Sequence, residues 1–224
     1  TQQIEALVQK EFPEAKVLRM DMDTTGGKDG HEKILSAFAG EEADILIGTQ
    51  MIVKGHDFAN VTLVGILAAD LSLYTDDFRS GERTFQLLTQ AAGRAGRGKK
   101  KGEVVIQTYN PEHYSILHAA KQDYESFYAE EMQYRSLMGY PPAEHLMAVL
   151  MSGEDEVHLE KAAHYLKEYA FRIARSSEAG IVGPASPYVG KVNDIFRRIL
   201  YIRHARYDIL IEIKYRLEEY IEIN

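Results

Sequence analysis

Apolar residues fall at three- and four-residue steps over Thr1–Phe12, where Ile4, Leu7 and Val8 share one helical face before Pro13 ends it. The pattern then shortens to a buried-strand run, Ala15–Met20 (AKVLRM). Asp21, Asp23, Thr24 and Thr25 lead into the Gly26-Gly27 pair, which marks a loop. Helical spacing returns over His31–Gly40, with Ile34, Leu35 and Phe38 inward and Gly40 as the stop. Ala43–Ile47 (ADILI) and Val61–Ala68 (VTLVGILA) are near-continuously apolar, as strands covered on both faces are. Glu82–Ala92 lacks Gly and Pro and carries Phe85, Leu88 and Ala92 on one stripe, which predicts a helix; Gly102–Thr108 (GEVVIQT) is the strand after it. Strands alternating with helices predict βαβ units and a parallel sheet, an α/β fold.

The alternation lapses after Tyr109-Asn110-Pro111, which places a domain boundary near residues 109–113 and divides the chain into 1–112 and 113–224. Tyr114–Met138 reads as one long helix with Leu117, Ala120, Tyr124, Phe127, Tyr128 and Met132 as its apolar stripe, stopped by Tyr140-Pro141-Pro142. That aromatic stripe reads as packing rather than as a base-stacking platform. Strands over 145–151, 179–183 and 195–203, with helices over 154–176 and 205–219, predict a smaller α+β domain whose helices lie over a mixed or antiparallel sheet.

Composition narrows the classes. At 224 residues two domains are the natural expectation, and an apolar fraction of 45% is ample for their cores. No stretch approaches a membrane-spanning length, and no signal-peptide pattern opens the chain. Thr1 stands where a Met would, inside a helical run, which fits an excised fragment. Zero cysteines exclude disulfides and thiolate zinc sites in this segment. A net charge of −8, spread evenly over both halves, argues against a histone-like binder, so any DNA contact must be a local patch. Arg94, Arg97, Lys99, Lys100 and Lys101 form the densest one. As a charge run alone it would be a solvated loop, or a surface for DNA if its neighbours support one.

The chemistry concentrates in Gln90-Ala91-Ala92-Gly93-Arg94-Ala95-Gly96-Arg97. Gln90 and Arg94 leave the 82–92 helix on one side, and Arg97 follows from a turn that Gly96 permits. Two guanidiniums on a rigid mount suit a polyphosphate, gripped bidentately; a basic helix terminus complementing its own dipole is the plainer reading. Ligands of parallel sheets sit beyond the carboxyl ends of the strands, which puts Gly48-Thr49-Gln50, Asp70 and Asp21–Thr25 on one rim. Thr49 and Gln50 serve there as phosphate contacts or as a helix cap. In Lys54-Gly55-His56-Asp57 the glycine permits close backbone approach and Asp57 can accept from a ribose hydroxyl; His56 alone reads as a packing or surface histidine. Lys191, Arg197, Arg198, Arg203 and Arg206 cluster in the second half, as a phosphate-backbone patch or as counterions on a solvated strand face.

Gly48-Thr49-Gln50, Lys54–Phe58 and Gln90–Arg97 occur in the order and spacing of the second RecA-like lobe of superfamily 2 helicases. Asp21–Thr25, Gly48–Gly55 and Glu82–Arg97, then Val104–Pro111 (VVIQTYNP) and Leu137–Pro142 (LMGYPP), closely resemble the primosomal helicase family of bacterial replication restart. The likeness covers 17–142 strongly and the rest more loosely. It implies a partial RecA-like lobe over 1–112 followed by a C-terminal domain.

By that resemblance Arg94 and Arg97 are arginine fingers for ATP bound with Mg²⁺ on a first lobe, and Gln90 couples them to the γ-phosphate. Gly55 and Asp57 approach the nucleotide, and Gly48, Thr49 and Gln50 touch the tracking DNA strand. The DNA-binding set is completed by Lys99, Lys100, Lys101, Arg197 and Arg198. Members of the family often carry His-Arg at the start of the Q-x-x-G-R-x-G-R motif; here Gln90-Ala91 stands instead, which removes position 91 from any phosphate role. No G-x-x-x-x-G-K-S/T loop occurs, so nothing here cradles the β- and γ-phosphates, and this segment alone is expected to hydrolyse little or no ATP. The family inserts a cysteine-rich zinc region just upstream of a segment like Thr1–Phe12, so zinc is expected in the parent and not here.

The function implied is an ATP-dependent 3′→5′ DNA helicase of the bacterial cytoplasm and nucleoid. It would bind forked or single-stranded DNA, meet primosome and single-strand-binding proteins, and reload the replicative helicase. The alternatives are a related fork-remodelling translocase and a non-catalytic fork- or primosome-binding module.

Overall fold

The structure, a computed structural model, describes residues 1–26, 30–53, 58–75, 77–97 and 101–223. The chain runs α1 (Gln2–Glu11), β1 (Val17–Met20), α2 (Gly30–Ala39), β2 (Ile45–Gly48), a 3₁₀ turn (Gln50–Val53), β3 (Leu63–Ile66), α3 (Asp70–Leu73), α4 (Ser80–Ala92) and β4 (Glu103–Ile106). It continues through α5 (Tyr114–Lys121), α6 (Tyr124–Met138), β5 (His145–Gly153), α7 (Glu156–Ala174), β6 (Gly180–Ala185), β7 (Lys191–Val192), β8 (Ile195–His204) and α8 (Tyr207–Ile223). Two compact units divide it: Thr1–Thr75 with Arg79–Phe127, and Tyr128–Asn224 with Asp76–Phe78. The sequence pattern sets its boundary near 109–113; the first unit runs on to Phe127 because α5 and the start of α6 pack against α4.

In the first unit the parallel pairing is as the βαβ alternation requires, in two separate ladders. β1 pairs with β2 from Val17↔Ile45 to Met20↔Gly48, and β3 pairs with β4 from Leu63↔Glu103 to Ile66↔Ile106. One small core gathers Met20, Leu35 and Phe58, with the Phe38 and Phe58 rings edge-to-face at 5.0 Å. A larger one joins Ala69, Leu73, Phe85, Leu88, Ile116, Ala119 and Phe127, where Phe85 stacks on Phe127 at 4.1 Å. The stripe Phe85-Leu88-Ala92 is what presses α4 inward, at the 3.6-residue period that selects a helix.

Two expectations need correction. The strand at β3 is not covered on both faces among the described residues: Leu63 is 60% exposed, while Ile66 turns to the core. The continuous helix over 114–138 is in fact two. Gln122 takes a left-handed conformation (φ 54°), its N–H and that of Asp123 close the last turn of α5, and Asp123 then caps α6 by accepting from Ser126 N–H at 3.0 Å and Ser126 Oγ at 2.6 Å. Apolar periodicity continues across such a break, which is why the stripe hides it.

The second unit is an antiparallel sheet ordered β5-β8-β6, with β7 turning back on β8. α7 and α8 cover one face, burying Leu166, Ala170, Leu200, Ile202, Leu210, Ile213 and Leu217. After α6 the chain turns at Gly139 (φ 65°), and the buried Arg135 fixes the turn by donating to Glu131 Oε1 at 2.7 Å and to the Pro141 carbonyl at 2.9 Å. Tyr140 stacks on Phe78 at 5.3 Å. Within the Leu137–Pro142 stretch Gly139 and Tyr140 thus pack into a corner, while Leu137 is 82% exposed.

Candidate functional site

α4 delivers the basic cluster and its end fixes it. Gly93 N–H still bonds the Thr89 carbonyl, and Arg94 and Ala95 close shorter turns onto Ala91 and Ala92. Gly96 then adopts φ 75°, where a side chain would be strained, and its N–H donates to the Val61 carbonyl at 2.9 Å ahead of β3. A Cβ on Gly96 would stand 2.7 Å from Gly102 N, and one on Gly102 would stand 2.7 Å from Ala95 Cβ while colliding with Gly96 N. The two glycine backbones lie face to face, so the turn is pinned between the entry to β3 and the entry to β4. From it Arg94 emerges half-buried and Arg97 exposed. Arg97 Nε donates to the Gly93 carbonyl at 2.7 Å, which fixes the side chain over the helix end. Gln90, on the last turn, is exposed.

The carboxyl ends of the strands carry the other candidates. Gly48 closes β2 under tight constraint: a Cβ there would meet the Met20 carbonyl at 2.5 Å and Ile52 Cδ1 at 2.7 Å. Thr49 and Gln50 beyond it are exposed, and the Thr49 carbonyl accepts from Ile52 N–H at 3.1 Å. Gly55, His56 and Asp57, and Lys99 and Lys100, lie outside the described residues; Lys101 is exposed.

Two rim carboxylates are already committed. Asp70 is buried at the start of α3, where it accepts from Thr108 Oγ1 at 2.7 Å and Tyr109 N–H at 3.0 Å; these bonds, Thr108's first, hold its carboxyl below the ordinary range. Asp21 accepts from Thr1 Oγ1 and from Thr24 N–H, and lies 3.2 Å from Arg19 Nε; the Thr1 bond is the largest cause of its lowered pKa. Both bind the fold's own backbone, a role for rim aspartates that spacing does not distinguish from ligand contact. Among the described residues no group of three or more His, Asp or Glu side chains is placed to hold a metal.

Arg197 and Arg198, neighbours in β8, face opposite sides of the sheet. Arg198 turns toward α7, where Glu156 Oε1 lies 2.9 Å from Nη2 and Glu160 accepts from Nε; these bonds raise its pKa, and its charge is spent inside the fold. That takes Arg198 out of the DNA-binding set. Arg197 is half-buried on the other side. Sequence reasoning passed over Gly102, whose sole signal is a glycine immediately before an apolar strand.

Residues 1–99 match the helicase conserved C-terminal domain family. The replication restart protein PriA of Bacillus subtilis (strain 168) is 48% identical over 210 residues, covering 92% of this chain and 26% of that protein. The protein of the same name from Chlamydia pneumoniae is 41% identical over 209 residues, 92% of this chain and 27% of its own length. Its Synechocystis counterpart is 38% identical over 207 residues, 92% and 25%. The chain spans about a quarter of the length of these curated relatives.

Proposed function

The chain belongs to the PriA family of replication restart proteins, and from that premise we propose that it is the second lobe and C-terminal domain of an ATP-dependent 3′→5′ DNA helicase acting at stalled or branched forks. The observation that carries this reading is the turn after α4, where opposed Gly96 and Gly102 backbones hold the segment bearing Arg94 and Arg97. Catalysis of phosphoryl transfer is mostly positioning and electrostatics, and arginines supplied from a second body add about 10³–10⁵ in rate. A mount pinned by backbone contact supplies the positioning.

In this reading Arg94 and Arg97 offset charge on the γ-phosphate oxygens as the bond to the β-phosphate breaks, and Gln90 links them to the γ-phosphate. Gly55 and Asp57 approach the nucleotide. The phosphate cradle and the Mg²⁺ belong to a first lobe, and the parent carries its zinc in a cysteine-rich region that this cysteine-free segment lacks. The exposed Thr49 and Gln50, next to the sterically required Gly48, are set to touch the tracking strand, with Lys99, Lys100 and Lys101 as further backbone contacts. Primosome and single-strand-binding proteins are the partners of such a helicase, in the bacterial cytoplasm and nucleoid.

The test compares ATP hydrolysis by this 224-residue chain with that by the complete polypeptide, each with and without forked DNA. The expected result is no turnover by the segment and DNA-stimulated turnover by the complete protein. Fork affinity without nucleotide dependence in either would favour a non-catalytic binding module and remove the helicase reading.

A further inference from the structure

Both ends of α4 are tied to the segment that forms β4. At the carboxyl end Gly96 lies against the backbone of Gly102, just ahead of β4, and its N–H donates to the Val61 carbonyl. At the amino end the link runs through α3. Thr84, fully buried near the start of α4, donates from Oγ1 to Ser72 Oγ at 2.8 Å. Ser72 Oγ donates in turn to the Ala69 carbonyl at 3.0 Å. Ala69 N–H then donates to the Gln107 carbonyl, one residue past β4, at 3.1 Å. Asp70 doubles that attachment by accepting from Thr108 Oγ1 and Tyr109 N–H. The short helix α3 is thus a bracket between α4 and the carboxyl end of β4.

The contacts of α4 constrain it differently. Phe85 and Leu88 hold it against the core, but apolar burial is non-directional and resists a small shift along the helix axis only weakly. A hydroxyl pair does resist it, because an O–H···O bond is confined to about 2.5–3.0 Å. Each hydroxyl has one proton, and both are spent in the same direction, Thr84 to Ser72 and Ser72 to the backbone. A shift of α4 by about 1 Å would break this chain and leave a fully buried hydroxyl without a partner, which is costly. Catalytic groups must be held to about 0.5 Å, and Arg94 and Arg97 ride on the far end of this helix.

We propose that Thr84 is a positioning residue for ATP hydrolysis, acting through Ser72 to fix α4, and with it Arg94 and Arg97, along the helix axis. The role rests on the helicase reading and includes no contact of Thr84 with nucleotide or DNA.

Thr84→Val keeps the shape of the side chain and removes the hydroxyl. In the complete polypeptide, DNA-stimulated kcat per folded molecule is expected to fall about tenfold, short of the roughly 100-fold loss that a displacement of about 1 Å brings. ATP affinity, measured directly, stays within about twofold of wild type, so the loss falls on kcat. Thr84→Ser restores kcat. Ser72→Ala removes the acceptor at a half-buried position and gives the same loss, and the double variant is no worse than either single one, because all three break one contact. Thr89→Val is the matched control: that hydroxyl of the same helix has no hydrogen-bond partner among the described residues, and kcat stays at the wild-type value.

A contact that served stability alone would lower the Tm of the Thr84→Val protein and leave kcat per folded molecule within about threefold of wild type, which overturns the proposal. So does an equal loss in Thr89→Val, or a loss in Thr84→Val that Thr84→Ser does not restore. If Thr84→Val does not fold, Ser72→Ala decides by the same criterion. Turnover lost in Arg97→Ala and kept in Thr84→Val removes this role and leaves the helicase reading standing; a wild-type polypeptide that hydrolyses no ATP removes both.

Discussion

Substituting Gly102→Ala adds a single methyl group where the fold has no space for it. The new Cβ would lie 2.7 Å from Ala95 Cβ and collide with the backbone at Gly96. Carbon atoms at rest stand about 3.5–4.0 Å apart, so the two segments must separate by about 1 Å. The backbone angle at Gly102 is not one reserved for glycine, so the cost comes from the collision alone. Overpacking of this kind costs about 1–3 kcal/mol of stability. Function should suffer more, because the segment that moves carries Arg94 and Arg97. A displacement of about 1 Å costs on the order of 100-fold in rate. The assay is DNA-stimulated ATP turnover of the complete polypeptide, read as kcat and KM separately, with ATP binding measured in parallel. The loss should fall on kcat. Gly65→Ala is the matched control: a Cβ there meets nothing within 4 Å, and turnover should stay at the wild-type value. A Gly102→Ala protein that folds and turns over within about threefold of wild type, a barrier change of well under 1 kcal/mol, would refute the reasoning.

Three further outcomes follow from the same contacts. Asp21, Asp70, Asp123, Asp155 and Asp208 all titrate below their ordinary value when folded, each held chiefly by a hydrogen bond to its carboxylate. The stability they contribute is therefore present above the unfolded pKa of about 3.9 and drains as pH falls below it. Thermal melts should be level from pH 7 to 5 and drop steeply below about pH 4; a drop already complete at pH 5 would contradict the assignment. Asp123→Ala removes the cap of α6 and should cost about 1 kcal/mol, a fall in Tm of roughly 2–4 °C. Glu131→Ala withdraws the carboxylate from Arg135, whose side chain is only 9% exposed, and should cost about 3–5 kcal/mol in denaturant unfolding; a loss under about 1 kcal/mol would show the pair to be dispensable.

The alternation of strand and helix was legible wherever one apolar period ran uninterrupted, as over Val17–Met20, Ser80–Ala92 and Ile195–His204. It failed at Gln122-Asp123, where a left-handed residue and an aspartate cap cut a continuous stripe. It also failed on β3, whose apolar sequence implies cover that one face does not have among the described residues. Residue type and spacing picked out Arg94 and Arg97 because the motif is local. What holds them is not local: the apposition of Gly96 and Gly102 and the bond to Val61 join segments that sequence spacing cannot relate. Nor could adjacency in sequence show that Arg197 and Arg198 serve different faces, since strand pleating separates them by direction and the glutamates that claim Arg198 lie on another element.

In the proposed helicase the turn after α4 lends its arginines to ATP hydrolysis. The most direct test is Arg97→Ala in the complete polypeptide, with DNA-stimulated turnover and ATP affinity measured on the same preparation. Turnover lower by two or more orders of magnitude with ATP still bound places Arg97 in the transition state, as this account predicts. Unchanged turnover would contradict it and return the cluster to a structural or DNA-binding role.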